Sequence, residues 1–141
     1  MENSIFLKLI KNLSNDAKKG HWKFFYDKSS DCLYWSKSAI SKNVNLKKLS
    51  REVSIYMKPN GSPEGLLVQF FQNNFLTQNE TLADTGMKKA LNKSQEDKPI
   101  SFGIKTKELE ALFVESIKND ILTDAFRANY SLKDLEKIVK V

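Results

Sequence analysis

Cysteine and histidine are nearly absent from this chain: Cys32 is the only cysteine and His21 the only histidine. A lone thiol cannot close an intramolecular disulfide, and one Cys with one His cannot assemble a structural zinc site. Disulfide scaffolds and zinc modules are excluded, and the expected setting is reducing and cytoplasmic. Glycine and proline are also scarce, at five and three residues, which excludes collagen-like and Pro/Gly low-complexity chains. The strongly apolar stretches, such as Gly65 to Phe71, fall far short of the roughly 20 residues a membrane-spanning helix needs. At the N-terminus, Ile5, Phe6, Leu7, Leu9 and Ile10 are interrupted by Lys8 and Lys11, with neither a basic start nor a small-residue cleavage site. They read as a helix, not a signal peptide. There is no glycine-rich phosphate loop, Gly-x-Ser-x-Gly elbow, His-Glu-x-x-His pair or EF-hand spacing, so no catalytic residue, metal ligand or cofactor site is assigned. The expectation is a protein that is not an enzyme.

What remains is an ordinary globular composition. The 141 residues are 40% hydrophobic and 28% charged, enough to bury a core in a single domain spanning 1–141. The net charge of +6 is unevenly distributed: residues 1–60 hold 12 Lys and Arg against 5 Asp and Glu, and residues 61–141 hold 11 against 12. The basic character therefore belongs to the first half. It suits an acidic partner or nucleic acid, and it also suits a simple solvated surface.

Residues 4 to 19 place Ile5, Phe6, Leu9, Ile10, Leu13 and Ala17 at helical spacing, with Ser4 or Asn3 as N-cap and Gly20 as C-terminal cap. Trp22, Phe24 and Tyr26 then alternate with Lys23, Phe25 and Asp27, and a second aromatic run, Asp31 to Trp35, follows Lys28-Ser29-Ser30. The pair predicts a β-hairpin. With Asp27 opposite Asp31, the residues Tyr26, Phe24 and Trp22 face Cys32, Tyr34 and Ser36, while Phe25 and Lys23 face Leu33 and Trp35; both faces are then partly apolar and call for cover. Ser36 to Ser50 is polar and reads as a long connection. Val53, Ile55 and Met57 alternate, Pro59-Asn60-Gly61-Ser62 supplies a turn, and Leu66 to Phe71 returns, with Gly65 at a bulge or close approach. Residues 77–99 turn polar, hold at most one short helix around Met87 to Asn92, and are expected to be mobile. Ile100, Phe102 and Ile104 offer a short fifth strand. Thr106 to Arg127 is helical in its spacing, and Ser131-x-x-Asp134 is a capping box that opens a last helix. The expected fold class is α+β: an N-terminal helix, a four-stranded antiparallel β-meander with that short fifth strand, and C-terminal helices packing on the sheet.

The segment Tyr26-Asp27-x-x-x-Asp31-x-Leu33-Tyr34, followed by an alternating strand, Asn60-Gly61 and Gly65-Leu66-Leu67-Val68, resembles a small family of prokaryotic domains of unknown function. Those domains share a Tyr-Asp, Asp-x-Leu-Tyr hairpin and a second hairpin ending in a Gly-Ile-x-Ile strand. The likeness covers residues 22–72; Leu66, Val68 and Gln69 depart from it, standing where that family tends to have Ile, Ile or Val and an acidic residue. The resemblance implies a β-meander and, because some relatives look like antitoxin-type partners of small toxins, a protein partner in a toxin or phage-defence setting.

Several constellations bear on function. A Cys32–His21 nucleophilic pair fails on geometry, since the hairpin separates the two by about 15 Å at about 3.3 Å per residue. Asp27 and Asp31 flank one turn, where Asp hydrogen-bonds its own backbone; the same pair could also serve an acid/base or cation site. The aromatics Trp22, Tyr34 and Trp35, among lysines, form a candidate aromatic face of the kind that stacks on bases, with packed core as the competing reading. Lys42, Lys47, Lys48 and Arg51 form the candidate partner-binding cluster, in and beside the polar connection. The last helix balances its charges, which favours packing over DNA reading. The leading expectation is therefore a small binding or regulatory module acting through a protein partner, with self-association left open. A nucleic-acid binder using the basic N-terminal half is the alternative.

Overall fold

In the computed structural model, which describes residues 4–102 and 106–139, the first amphipathic stretch forms α1 (Ile5–Gly20). Ser4 caps it, its Oγ accepting from the Leu7 N–H at 3.3 Å, and Phe6, Ile10, Leu13 and Ala17 make the buried stripe. The left-handed cap falls on His21 (φ 54°) and not on Gly20. Gly20 has a packing role instead, because a Cβ there would lie 2.7 Å from the Trp22 indole nitrogen.

Five strands follow: β1 (Lys23–Asp27), β2 (Cys32–Ser36), β3 (Asn45–Lys48), β4 (Val53–Met57) and β5 (Pro63–Val68). All pairs are antiparallel, in the order β1-β2-β5-β4-β3. The α+β class, with an N-terminal helix and C-terminal helices on an antiparallel sheet, agrees with the sequence reading, but two details differ. First, the fifth strand is β3, inside the stretch read as a connection. As an edge strand with largely exposed residues it carries no hydrophobic alternation to announce it. Ile100 and Phe102 are not in a strand, although the Ile100 N–H donates to Phe24 O at 2.8 Å on the outer edge of β1; Ile104 lies outside the described residues. Second, β5 inserts between β2 and β4, so only β3, β4 and β5 run as a meander, and residues 37–44 carry the chain across.

The first hairpin is shifted by one residue from the expected register, with Asp27 opposite Cys32. The cause is local: Asp31 adopts φ 55° and closes a turn in which Asp27 Oδ1 accepts from the Ser29 N–H (3.0 Å) and hydroxyl (2.7 Å). A one-residue slip changes every cross-strand neighbour. Phe24 now lies beside Trp35, and Phe25 beside Tyr34. The second hairpin turns as expected, with Gly61 at φ 86° and Asn60 Oδ1 accepting from the Ser62 N–H at 3.0 Å. Gly65 is a close approach: a Cβ there would sit 2.2 Å from Ser36 Cβ.

One face of the sheet makes the core. Trp22, Phe24, Tyr26, Leu33, Trp35, Val53, Ile55, Leu66 and Val68 pack with the α1 stripe and with Leu109, Phe113, Ile117 and Ile121 of α5 (Thr106–Arg127). Phe24 stacks on Trp35 at 5.4 Å between ring centroids, and Phe113 meets both rings edge-on at 5.3 and 5.6 Å. After β5, Phe70 turns left-handed (φ 53°), and Phe71–Phe75 wind a π-type turn into α2 (Leu76–Gln78). Residues 77–99 then hold more helix than expected, α3 (Glu80–Ala83) and α4 (Met87–Asn92) as well as the end of α2, and Leu82, Met87 and Leu91 are fully buried anchors. Their irregular spacing among polar residues hides them from a periodicity reading. The last helix, α6 (Leu132–Val139), opens on the expected capping box, the Ser131 N–H donating to Asp134 Oδ2 at 2.7 Å and the Asp134 N–H to Ser131 Oγ at 3.2 Å. Among the described residues no helix is long and apolar enough to cross a membrane.

Candidate functional site

The second face of the sheet contributes nothing to the core cluster. Cross-strand register assembles it in rows: Phe25, Tyr34, Leu67, Ser54 and Lys48 in one, and Lys23, Ser36, Gly65, Tyr56 and Leu46 in the next. Phe25, Tyr34 and Tyr56 are half-buried, Leu67 is buried between its neighbours, and Leu46 is 51% exposed. Burial, then the nearby Cys32 thiol, Tyr56 and Asp27, hold the Tyr34 phenol above its ordinary range; burial and Cys32 do the same for Tyr56. Both rings stay neutral, able to donate a hydrogen bond from one end and offer a π-face from the other.

Over β1 and β2 this face deepens into a groove of about 640 Å³. Phe25 and Tyr34 form its floor, Lys37 and Ile40 one wall, and Glu96, Asp97 and Pro99 the other, with Asp27 at the turn end. The first wall is tethered by buried Glu64, which accepts from Lys37 Nζ (3.1 Å), the Ser41 N–H (2.8 Å) and the Ser41 hydroxyl (2.9 Å). Burial works against that carboxylate, but the hydrogen bonds from Ser41 and Lys37 outweigh it and hold its pKa below the ordinary value. The second wall hangs on β1 through the Ile100 to Phe24 bond. Asp27 is also held below the usual carboxylate range, by the hydroxyls and N–H groups of Ser29 and Ser30, so it is ionised at neutral pH.

Of the expected aromatic face, Trp22, Tyr34 and Trp35, only Tyr34 lies here. Trp22 and Trp35 are 5% and 0% exposed and meet edge-to-face in the core at 5.2 Å. Phe25 and Tyr56 take their place, and period-2 alternation is the signal that could have found them. The basic cluster is also dispersed. Lys42 is exposed in the 37–44 connection, Lys47 and Lys48 are consecutive on edge strand β3 and so point to opposite faces, and Arg51 is exposed in the β3–β4 turn, its N–H donating to Asp124 Oδ2 at 3.2 Å.

Cys32 is buried, its Sγ 3.6 Å from Ser30 O, and His21 is exposed beyond the opposite end of β1, so the two form no dyad. Asp31 does more than shape a turn. Its Oδ1 accepts from the Tyr26 hydroxyl (2.5 Å) and the Gln72 N–H (2.9 Å), and its Oδ2 from the Asn73 N–H (3.1 Å), capping the π-type turn 40 residues away in sequence. Among the described residues no group of three or more His, Cys, Asp or Glu is arranged to hold a metal ion.

A second cluster sits where the β3–β4 turn meets α5. Glu52 is 5% exposed; its Oε1 accepts from the Asn74 side chain and its Oε2 has no partner. Burial first, then Asp120, with Arg51 opposing and Asp124 adding, push its carboxyl up to about 7. Asp120, which accepts from the Ser50 hydroxyl at 2.9 Å, is also raised, chiefly by burial. The adjoining cavity of about 30 Å³ has room for one water molecule, and the cluster reads as a buried latch between the turn and the helix. Comparison of the chain with protein-family models, with curated proteins and with solved structures finds no match.

Proposed function

We propose that this chain is a non-catalytic binding module that acts through a protein partner seated on the helix-free face of its sheet. The observation that carries this reading is the cross-strand aromatic surface, Phe25, Tyr34 and Tyr56 beside exposed Leu46, on a face outside the core. An antiparallel sheet with one packed face normally presents a polar second face to water. Aromatic residues that cover area at low entropic cost are instead what protein interfaces concentrate at their centres. A nucleic-acid reading finds less support, because the lysines and Arg51 do not share one face and the groove over β1 and β2 is rimmed by carboxylates.

The test is site-specific photo-crosslinking in cells, with benzoylphenylalanine at Phe25, at Leu46 and, for comparison, at Phe126, which is 83% exposed at the end of α5. Protein adducts of one recurring mass from positions 25 and 46, absent from 126, are expected. Adducts from 126 alone, or nuclease-sensitive adducts from the sheet positions, would overturn the proposal.

A further inference from the structure

The groove over β1 and β2 combines three features that together specify a ligand chemistry. It is an open depression of about 640 Å³ on the face outside the core. Its floor is a cross-strand aromatic pair, Phe25 beside Tyr34, with Ile40 and Pro99 on the walls. Its charge is unbalanced: among the described residues that line it, Asp27, Glu96 and Asp97 stand against one cation, Lys37, and that cation is engaged by Glu64 at 3.1 Å. The acidic sign is local, since the whole chain carries +6. Aromatic faces attract a desolvated cation through their quadrupole, and a planar guanidinium can lie on such a ring while its edge donates to carboxylates. An ammonium could meet the carboxylates but would gain less from the flat floor.

We infer that this groove receives an arginine side chain from a basic segment of the partner, its guanidinium stacked on Phe25 and Tyr34 and hydrogen-bonded toward Asp27, Glu96 and Asp97. This deepens the reading that the helix-free face is the docking surface and depends on it. The walls suit such an occupant in different ways. The Lys37–Ile40 wall is pinned by the Glu64 bonds, whereas Glu96 and Asp97 are exposed and belong to a segment held to β1 just beyond them, by the Ile100 backbone bond and the Phe102 ring against Phe24. Asp97, at φ 64°, has a backbone conformation that Asn also tolerates, so its charge can be removed without disturbing the loop.

Backbone amide shifts in NMR, recorded during titration with the peptide acetyl-Gly-Arg-Ala-Arg-Gly-amide, provide the test. The same peptide with citrulline, the neutral isostere, for arginine is the control. Shifts at Phe25, Asp27, Tyr34 and Asp97 that are at least about ten-fold weaker with citrulline are expected. Glu96→Gln with Asp97→Asn should weaken arginine binding about ten-fold, and Phe25→Leu about three-fold, with melting temperature unchanged. Equal shifts with both peptides, or shifts confined to other surfaces, would overturn the inference. So would oligo-thymidine binding at these positions that strengthens in the Glu96→Gln, Asp97→Asn variant. If the peptide fails while crosslinks still form at positions 25 and 46, only the arginine assignment falls; loss of those crosslinks removes the docking face itself.

Discussion

Replacing Glu52 by Gln should stabilise the fold at pH 8 and leave it nearly unchanged at pH 4. In the unfolded chain this carboxyl titrates near its ordinary 4.5, and in the fold it is pushed up to about 7 by burial and by Asp120 and Asp124 against Arg51. Below pH 4.5 both states hold the proton. Between the two values the folded state binds one proton more than the unfolded, so stability falls as pH rises, and above 7 the whole penalty of a buried carboxylate is present. Moving a carboxyl from 4.5 to about 7 corresponds to about 3 kcal/mol. Glu52 adjoins exposed Arg51 in a surface turn, so solvent screening reduces the expected effect to about 1–2 kcal/mol. Glutamine preserves the acceptor for Asn74 and replaces Oε2, which has no partner, with an amide that can donate toward Asp120 or Asp124. Urea unfolding of both proteins at pH 4, 5.5, 7 and 8.5 measures the difference, which includes the relief that loss of the Glu52 charge gives to Asp120. A variant that is less stable at pH 8, or a difference that does not grow with pH, would show that Glu52 acts through its hydrogen bond and not through its charge.

Two further perturbations probe the packing behind the face. Phe24→Ala should cost about 3–5 kcal/mol, because Phe24 stacks on Trp35 and meets Phe102 and Phe113 edge-on. An unchanged melting temperature would mean that this aromatic cluster is not core. Asp31→Ala should cost about 1–3 kcal/mol by leaving the Gln72 and Asn73 N–H groups and the Tyr26 hydroxyl without their acceptor. Hydrogen exchange should quicken at residues 72–73 while the rest of the sheet stays protected, and uniform loss of protection would refute a local capping role.

Elements whose cause is local were legible in the sequence. The Ser4 cap and apolar stripe of α1, the Asn60-Gly61 turn and the Ser131–Asp134 box each depend on residues within a turn or two of one another. Gly65 was legible as a special position, though not as a contact with Ser36. What stayed hidden is non-local, with one exception, the first hairpin's register, whose cause is a single backbone conformation inside the turn. β3 is recognisable only once β4 is beside it, since Asn45, Leu46 and Lys48 are exposed and its pattern carries no burial signal. The first hairpin's register turned on the left-handed conformation of Asp31, and that single choice decided that Trp22 and Trp35 are core while Phe25 joins Tyr34 outside it. The groove was illegible because its walls come from residues 37–40 and 96–99, about 60 positions apart.

The first of those walls follows from the strand order. Because β5 lies between β2 and β4, the chain leaving Ser36 must cross three inter-strand spacings to begin β3, about 14 Å at about 4.8 Å each. Residues 37–44 could span roughly 26 Å if fully extended, so the connection has slack. Slack alone would give a loose surface loop. Glu64, 1% exposed at the start of β5, instead binds the connection at both Lys37 and Ser41, and Ile40 between them lines the groove with Tyr34. Burying that carboxylate is tolerable only because both of its oxygens accept hydrogen bonds from the connection. The ion pair therefore ties the topology to the candidate site: it engages the charge of Lys37 and leaves Asp27, Glu96 and Asp97 as the other charged groups that line the groove.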